Sequence, residues 1–198
     1  MDSYKLAFKL FVQNASGLTG HEFVPVFHSW IQQKKIADHL VIDVADYEHV
    51  VDGPGTLVIT LEANFATDRE DGKLGLLYIR KQPIPGSDTL ADRLRATLRP
   101  LIAAAQLLES DATLAGKIKF ATDHLLFRVY DRLLATNDAV TFAAVKPELE
   151  NLVKDLYGGS PAALDFQPRP GSLFEVTIKA PNAPKLADLL DRVTPVAR

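Results

Sequence analysis

Short groups of residues recur in the same order in both halves of the chain, and this recurrence constrains the fold more than any other feature. Phe8-Lys9-Leu10-Phe11 corresponds to Phe127-Arg128-Val129-Tyr130, and Ile42-Asp43-Val44 corresponds to Leu164-Asp165-Phe166. Three further pairs are Pro25 with Pro147, each preceding an apolar helical stripe, Gly55-Thr56-Leu57 with Gly171-Ser172-Leu173, and Leu90-Ala91-Asp92 with Leu186-Ala187-Asp188. Matches in one order predict an internal duplication.

Hydrophobic periodicity assigns secondary structure to the first copy. Alternating apolar residues predict a strand over 5–13, and a stripe that includes Phe27 and Trp30 predicts a helix that begins near Pro25 and ends near residue 35. Runs rich in Val, Ile, Leu and Tyr predict strands over 39–44, 55–64 and 73–81. Leucines at helical spacing predict a long helix over 90–108, kinked at Pro100.

This element order predicts an α+β fold of two diverged β-α-β-β-α repeats, with antiparallel sheets covered by helices. The first repeat spans 1–115 and the shorter second repeat spans 116–198. The unit resembles the ferredoxin-like split β-α-β fold, in which residues 117–120 would close the first copy. The alternative is a pair of β-α-β-β-β modules, which resembles the glyoxalase and bleomycin-resistance superfamily in topology only. The metal-binding His and Glu of that superfamily have no counterpart motif here.

Composition and charge exclude several classes of function. The chain has no cysteine, which excludes disulfides, thiolate nucleophiles and Cys-ligated metals. With 22 Lys and Arg against 25 Asp and Glu, and no cationic block, we expect no binding to nucleic acid. No apolar run approaches the roughly 20 residues of a membrane helix, so we expect no membrane contact. The opening residues lack a secretion signal, which predicts a cytoplasmic location.

The first copy is elaborated relative to the second, and this asymmetry indicates a candidate site. Twelve positions separate Asp43 from Gly55, whereas six separate Asp165 from Gly171. The enlarged 43–55 connection gathers five residues with functional side chains: Asp46, Tyr47, Glu48, His49 and Asp52. Asp46, His49 and Asp52 would supply oxygen and imidazole ligands to a divalent metal, or an acid/base pair with Tyr47. The alternative interpretation is a solvated connection between two strands.

Three residues outside this connection complete the candidate site. Glu62 and Arg80 lie on neighbouring predicted strands and would assist ligand binding. His28 lies on the flank of the first helix, where it would either face a cleft or bond to a backbone carbonyl. His39 and His124 open strands without recognisable partners, so neither is given a role.

Three functional hypotheses follow, because the chain lacks serine-elbow, dinucleotide-binding and P-loop motifs and nothing in it indicates a cofactor. The first is a non-enzymatic binding or regulatory module for a small molecule or a protein partner. The second is a metal-dependent or acid/base enzyme that uses Asp46, Tyr47 and His49. The third is a subunit of a protein assembly, including a homo-oligomer, because open strand edges and the aromatic residues Phe11 and Tyr130 would favour association.

Overall fold

Eight β-strands and four α-helices form the part of the chain that the computed structural model describes, residues 1–15, 18–51, 53–114 and 116–194. The strands are β1 (Leu6–Ala15), β2 (Val41–Tyr47), β3 (Gly55–Thr60), β4 (Ala63–Asp68), β5 (Gly75–Arg80), β6 (Ile118–Val129), β7 (Ala163–Asp165) and β8 (Phe174–Lys179). The helices are α1 (Phe23–Gln32), α2 (Leu90–Ser110), α3 (Ala139–Leu156) and α4 (Leu186–Val193). The predicted α+β class is confirmed.

All of these strands belong to one antiparallel sheet, in the order β2-β3-β4-β5-β1-β6-β8-β7. The two longest strands, β1 and β6, lie side by side in its interior, where Phe8 is opposite Phe127. The edges are β2 and the three-residue β7. Strands from both halves of the chain are therefore joined by main-chain hydrogen bonds across a single sheet.

The helices pack on one face of the sheet. Leu6, Phe8 and Leu10 are fully buried, and alternation along β1 places them on the same face. They share one hydrophobic cluster with the buried residues of all four helices, whereas the separate cluster around Ala7 and Leu77 contains no helix residue. Each such large apolar side chain contributes about 1.5–3 kcal/mol on burial. The sheet therefore has a helix-covered face and an open face.

Several element boundaries differ from the prediction. The strand predicted over 55–64 is a hairpin, because the Thr60 hydroxyl accepts from the Ala63 N–H (2.9 Å) and donates to its carbonyl (2.8 Å), which turns the chain. Residues 118–120 of the predicted closing strand and Phe127 belong to one strand, β6. Helix α3 begins at Ala139, where Asp138 accepts from the Thr141 N–H, so Pro147 lies inside this helix. Helix α2 continues through Pro100.

Buried charges lie on the open face of the sheet. Lys9 is 1% exposed and is paired with Asp68, and its side chain crosses over Gly75 to reach that carboxylate. A Cβ atom at Gly75 would lie 2.5 Å from Cε of Lys9. Burial lowers the pKa of Lys9, and the hydrogen bond to Asp68 opposes this effect. Arg128 is paired with Glu175 (2.9 Å) and with Glu70. These pairs connect four strands and the β4–β5 turn.

We predict that Asp68→Ala destabilises the protein by about 3–5 kcal/mol, because it leaves the Lys9 ammonium buried without a partner. The combined change Lys9→Met with Asp68→Leu should cost much less, since both charges leave together. Urea unfolding followed by circular dichroism measures both free energies. Asp155→Ala, which breaks the exposed pair with Arg95, is the matched control and should cost about 0–1 kcal/mol. Equal losses for Asp68→Ala and Asp155→Ala would contradict this account.

Candidate functional site

A cavity of about 470 Å³ lies on the helix-covered face, between α2 and the strands β4 and β5. Its wall on the helix side is built from α2 and its wall on the sheet side includes Phe65, Tyr78 and Arg80. The segment 35–39, which connects α1 to β2, closes a third side. The cavity is therefore bounded by elements that are distant in the chain and meet only in the folded sheet.

Small residues on α2 create this space. Ala96, Pro100 and Ala103 follow one another at intervals of four and three, which places them on one stripe of the helix. The larger Leu94, Leu98 and Leu101 are buried against the sheet and hold the helix in place. Pro100 has no N–H, so the carbonyl of Ala96 lacks its usual helical donor at the cavity wall. The other residues of α2 that line the cavity are apolar, with the exception of Arg99.

Two neighbouring side chains at the cavity, His39 and Tyr78, are hydrogen-bonded to each other. Nε2 of His39 lies 2.9 Å from the Tyr78 hydroxyl, and Nδ1 of His39 lies 2.7 Å from the Ala37 carbonyl. Because a carbonyl only accepts, Nδ1 carries the ring proton, and Nε2 of the neutral imidazole accepts from Tyr78. The Phe65 ring packs edge-on against both rings, at 5.5 and 4.9 Å. Both side chains are thereby fixed in orientation.

Arg80 is a buried cation on the sheet-side wall of the cavity. The residue is 7% exposed, and its guanidinium donates to the carbonyls of Gln82 (2.8 Å) and Pro83 (3.0 Å) and to the Tyr78 hydroxyl (3.4 Å). Among the described residues, no carboxylate oxygen lies within 4.0 Å of its nitrogens. Carbonyl dipoles therefore hold this charge without neutralising it.

The protonation states follow from burial and from neighbouring charges. Burial lowers the pKa of His39, and the nearby Arg80 lowers it further, although the Ala37 carbonyl acts in the opposite direction. Burial raises the pKa of Tyr78. For Glu62, burial favours the neutral form, but the hydrogen bond from the Leu40 N–H (2.9 Å) and the charges nearby lower its pKa overall. At neutral pH His39 is thus neutral, Tyr78 protonated and Glu62 ionised.

The rim of the cavity carries further charges. Arg99 of α2 lies 3.7 Å from Asp38, and both side chains are largely exposed. Asp38 adopts a left-handed backbone conformation, with φ of 60°, which turns the chain before His39. Lys35 completes the charged rim. This exposed pair contributes little to stability, so an incoming ligand can rearrange it at small cost.

The structure divides the predicted site residues between two places. Glu62 and Arg80 are brought together at the cavity. Asp46 lies within β2, accepts from the Glu48 N–H (2.9 Å) and approaches Nδ1 of the exposed His21 (3.3 Å). Tyr47 ends β2, and its ring stacks on that of His49 at 6.3 Å. Five residues separate Asp46 from the start of β2 at Val41, about 17 Å along the strand.

The remaining predicted residues lie elsewhere. His28 is exposed on α1. Asp52 lies outside the described residues. In the ranges that the structure covers, no three His, Asp or Glu side chains are grouped closely enough to hold a metal ion. Of the predicted site residues in the enlarged connection, the structure thus places Asp46, Tyr47 and His49. They lie at the opposite end of β2 from the cavity.

Sequence reasoning missed His39 and Tyr78. Tyr78 and Arg80 are two positions apart on one strand, so period-2 alternation already placed them on the same face. No comparable signal identified His39, because its position depends on the turn at Asp38 and on the pairing of strands that are distant in sequence.

The comparisons with known proteins add no family assignment. No protein-family model matches the chain, and no curated protein is significantly similar to it in sequence. None of the helices in the described ranges is long and apolar enough to cross a bilayer.

We predict that Arg80→Met raises the pKa of His39, since the guanidinium charge disfavours the imidazolium. In the unchanged protein this pKa should lie below the ordinary value of about 6.5. Titration of the imidazole proton resonances by NMR measures both values. Arg95→Met, on an exposed part of α2, is the control and should leave the His39 titration unchanged. An unaltered titration in Arg80→Met would show that the two groups are not coupled.

Proposed function

We propose that this protein binds a small ligand that has an apolar body and an anionic group, and that the ligand occupies the cavity between α2 and the sheet. The observation that carries the proposal is the buried Arg80 guanidinium, which lies at an apolar wall without a carboxylate partner among the described residues. A buried charge is normally paired, and a ligand anion would supply the missing partner.

The size and lining of the cavity support this function. A volume of about 470 Å³ lies within the roughly 300–1,000 Å³ of known ligand pockets. Phe65, Ile84 and Ala103 offer apolar contacts, while Arg80 and Tyr78 supply a few fixed polar groups. This combination of an apolar surface with a few convergent polar groups is typical of small-molecule sites.

The hydrogen bonds that Arg80 makes within the chain leave some of its N–H donors available to a ligand. A guanidinium has five N–H donors, and three nitrogen contacts, to Gln82, Pro83 and Tyr78, are made within the chain. One further N–H therefore remains on each terminal nitrogen. These two donors are held in one plane, which matches the oxygens of a carboxylate, phosphate or sulfonate.

Anilinonaphthalene sulfonate, which joins an aromatic body to a permanent anion, is a suitable probe. We expect it to bind with increased fluorescence, and we expect Arg80→Met to weaken its affinity at least about tenfold, because a hydrogen bond to a charged group contributes about 1.5–3 kcal/mol. Fluorescence titration measures the affinity, and far-ultraviolet circular dichroism verifies that the variant is folded.

Two controls separate cavity binding from adsorption to the surface. Leu133→Asn removes a side chain that is 95% exposed and should leave probe binding unchanged. Ala103→Leu should fill part of the cavity and weaken binding without removing a charge. Binding that survives both Ala103→Leu and Arg80→Met would refute this location for the site.

A second candidate function is acid/base catalysis or metal binding at the other end of β2. The supporting observation is that Asp46 lies 3.3 Å from Nδ1 of His21, while Tyr47 and His49 stack nearby. Native mass spectrometry of the purified protein distinguishes the two sites. A co-purified metal should be lost in Asp46→Ala and His49→Ala, whereas a co-purified organic anion should be lost in Arg80→Met. A metal that is lost only in Arg80→Met would exclude the metal site at Asp46 and His49. An organic anion that is lost only in Asp46→Ala or His49→Ala would exclude the cavity as its site.

We also propose that the chain is an internally duplicated pair of β-α-β-β-α units. Support comes from β1 and β6, which lie antiparallel with Phe8 directly opposite its sequence counterpart Phe127. The proposed counterparts Lys9 and Arg128 are both buried cations on the open face, each paired with carboxylates. The matched Asp43 and Asp165 lie on the two edge strands. A cytoplasmic location, a protein partner and a homo-oligomer remain predictions.

A further inference from the structure

We infer that the cavity takes up a proton together with its anionic ligand, and that His39 is the group that receives the proton. This inference rests on the proposed function and concerns the regulation of the same site. It follows from the hydrogen bonds that His39, Tyr78 and Arg80 make within the chain and from those that they can make with a bound anion.

In the structure the exchangeable protons of His39 and Tyr78 are both committed to hydrogen bonds within the chain. The ring proton of His39 is on Nδ1 and is donated to the Ala37 carbonyl at 2.7 Å. Tyr78 has a single hydroxyl proton, and it is donated to Nε2 of His39 at 2.9 Å. The Tyr78 oxygen also accepts from Arg80. Neither His39 nor Tyr78 therefore offers a donor to a ligand.

An anion beside Arg80 changes this arrangement. The Tyr78 hydroxyl lies within reach of Arg80, so it can turn its proton toward an anion held by the guanidinium. Nε2 of His39 would then be an acceptor without a donor at a half-buried position, which is unfavourable. A proton from solvent on Nε2 removes the conflict, because the imidazolium donates to the Tyr78 oxygen while Tyr78 donates to the ligand. An N–H bond forms at Nε2 as a hydronium ion or a buffer acid gives up its proton, and one proton therefore enters with the anion.

The charges that face His39 agree with this exchange. In the free protein, burial and the Arg80 charge oppose the imidazolium, whereas the Ala37 carbonyl, Glu62 and Asp38 favour it, and the pKa is lowered overall. An anion bound to Arg80 offsets that charge and adds an attraction of its own, so the pKa of His39 should rise on binding. The groups that face His39 are Tyr78 and Arg80 from β5, Glu62 from the β3–β4 turn, Phe65 from β4, Arg99 from α2, and Lys35 and Asp38 from its own segment.

The coupling gives affinity a defined dependence on pH. Affinity should rise as pH falls from the pKa of His39 in the complex to its lower pKa in the free protein, by at most about tenfold per pH unit. Outside this window affinity should be constant. The ligand would therefore be held under mildly acidic conditions and released as the pH rises.

Calorimetric titration with anilinonaphthalene sulfonate tests the inference, because its sulfonate stays ionised between about pH 5 and 8, the range in which histidine titrates. Titrations in buffers of different ionisation enthalpy report the number of protons taken up on binding. We expect uptake approaching one proton within the window. His39→Gln should still bind the probe, since the amide can donate to Tyr78, but with no proton uptake and no dependence on pH.

The controls distinguish this inference from the proposed function. His28→Gln, on the exposed side of α1, should leave proton uptake unchanged. Tyr78→Phe provides a second variant that breaks the chain of hydrogen bonds, and it should reduce proton uptake to the part that the charge of the anion alone supports. Probe binding that depends on Arg80 but involves no proton would overturn the inference and leave the proposed function standing. The absence of any Arg80-dependent binding would overturn both.

Discussion

The pairing of β1 with β6 is the interaction on which the rest of the fold depends. It joins five strands from the first part of the chain to three from the second, and it places Phe8 against Phe127 with ring centroids 5.1 Å apart. Helix α2 packs on this junction and on β5, so the position of its Ala96, Pro100 and Ala103 stripe is set by the same strands. The cavity is thus a consequence of how the middle of the sheet is assembled.

Covering only one face of the sheet has a second consequence. Helices bury the apolar side chains of one face, while the centre of the other face must be satisfied by the strands and turns themselves. Lys9, Asp68 and Arg128 are buried there and pair with one another or with Glu70 and Glu175. Such buried pairs add little net stability but penalise arrangements in which a partner is missing. These ion pairs therefore favour the strand order in which every buried charge has its partner.

The sequence predicts the elements of this fold better than their contacts. Periodicity located β1, α1 and α2, because one apolar stripe or one alternating face suffices to bury each element. It missed the β3–β4 turn, since Thr60 turns the chain without glycine or proline. Glu62 and Arg80 were predicted to assist a site at the 43–55 connection, whereas they line the cavity, and His39 was given no role. Its contact with Tyr78 spans 39 positions and exists only after β4 and β5 have paired.

The crossing of Lys9 over Gly75 also restricts how this sequence can change over evolutionary time. Any side chain at Gly75 would meet Cε of Lys9 at 2.5 Å and the Leu10 carbonyl at 2.6 Å. Replacement of Lys9 by a shorter residue would remove the contact with its Cε atom. It would also leave the buried Asp68 carboxylate without its partner. Mutations at Lys9 and Asp68 are therefore epistatic, and related sequences should retain or replace these two residues together, whereas the Leu10 carbonyl restricts position 75 to glycine in either case.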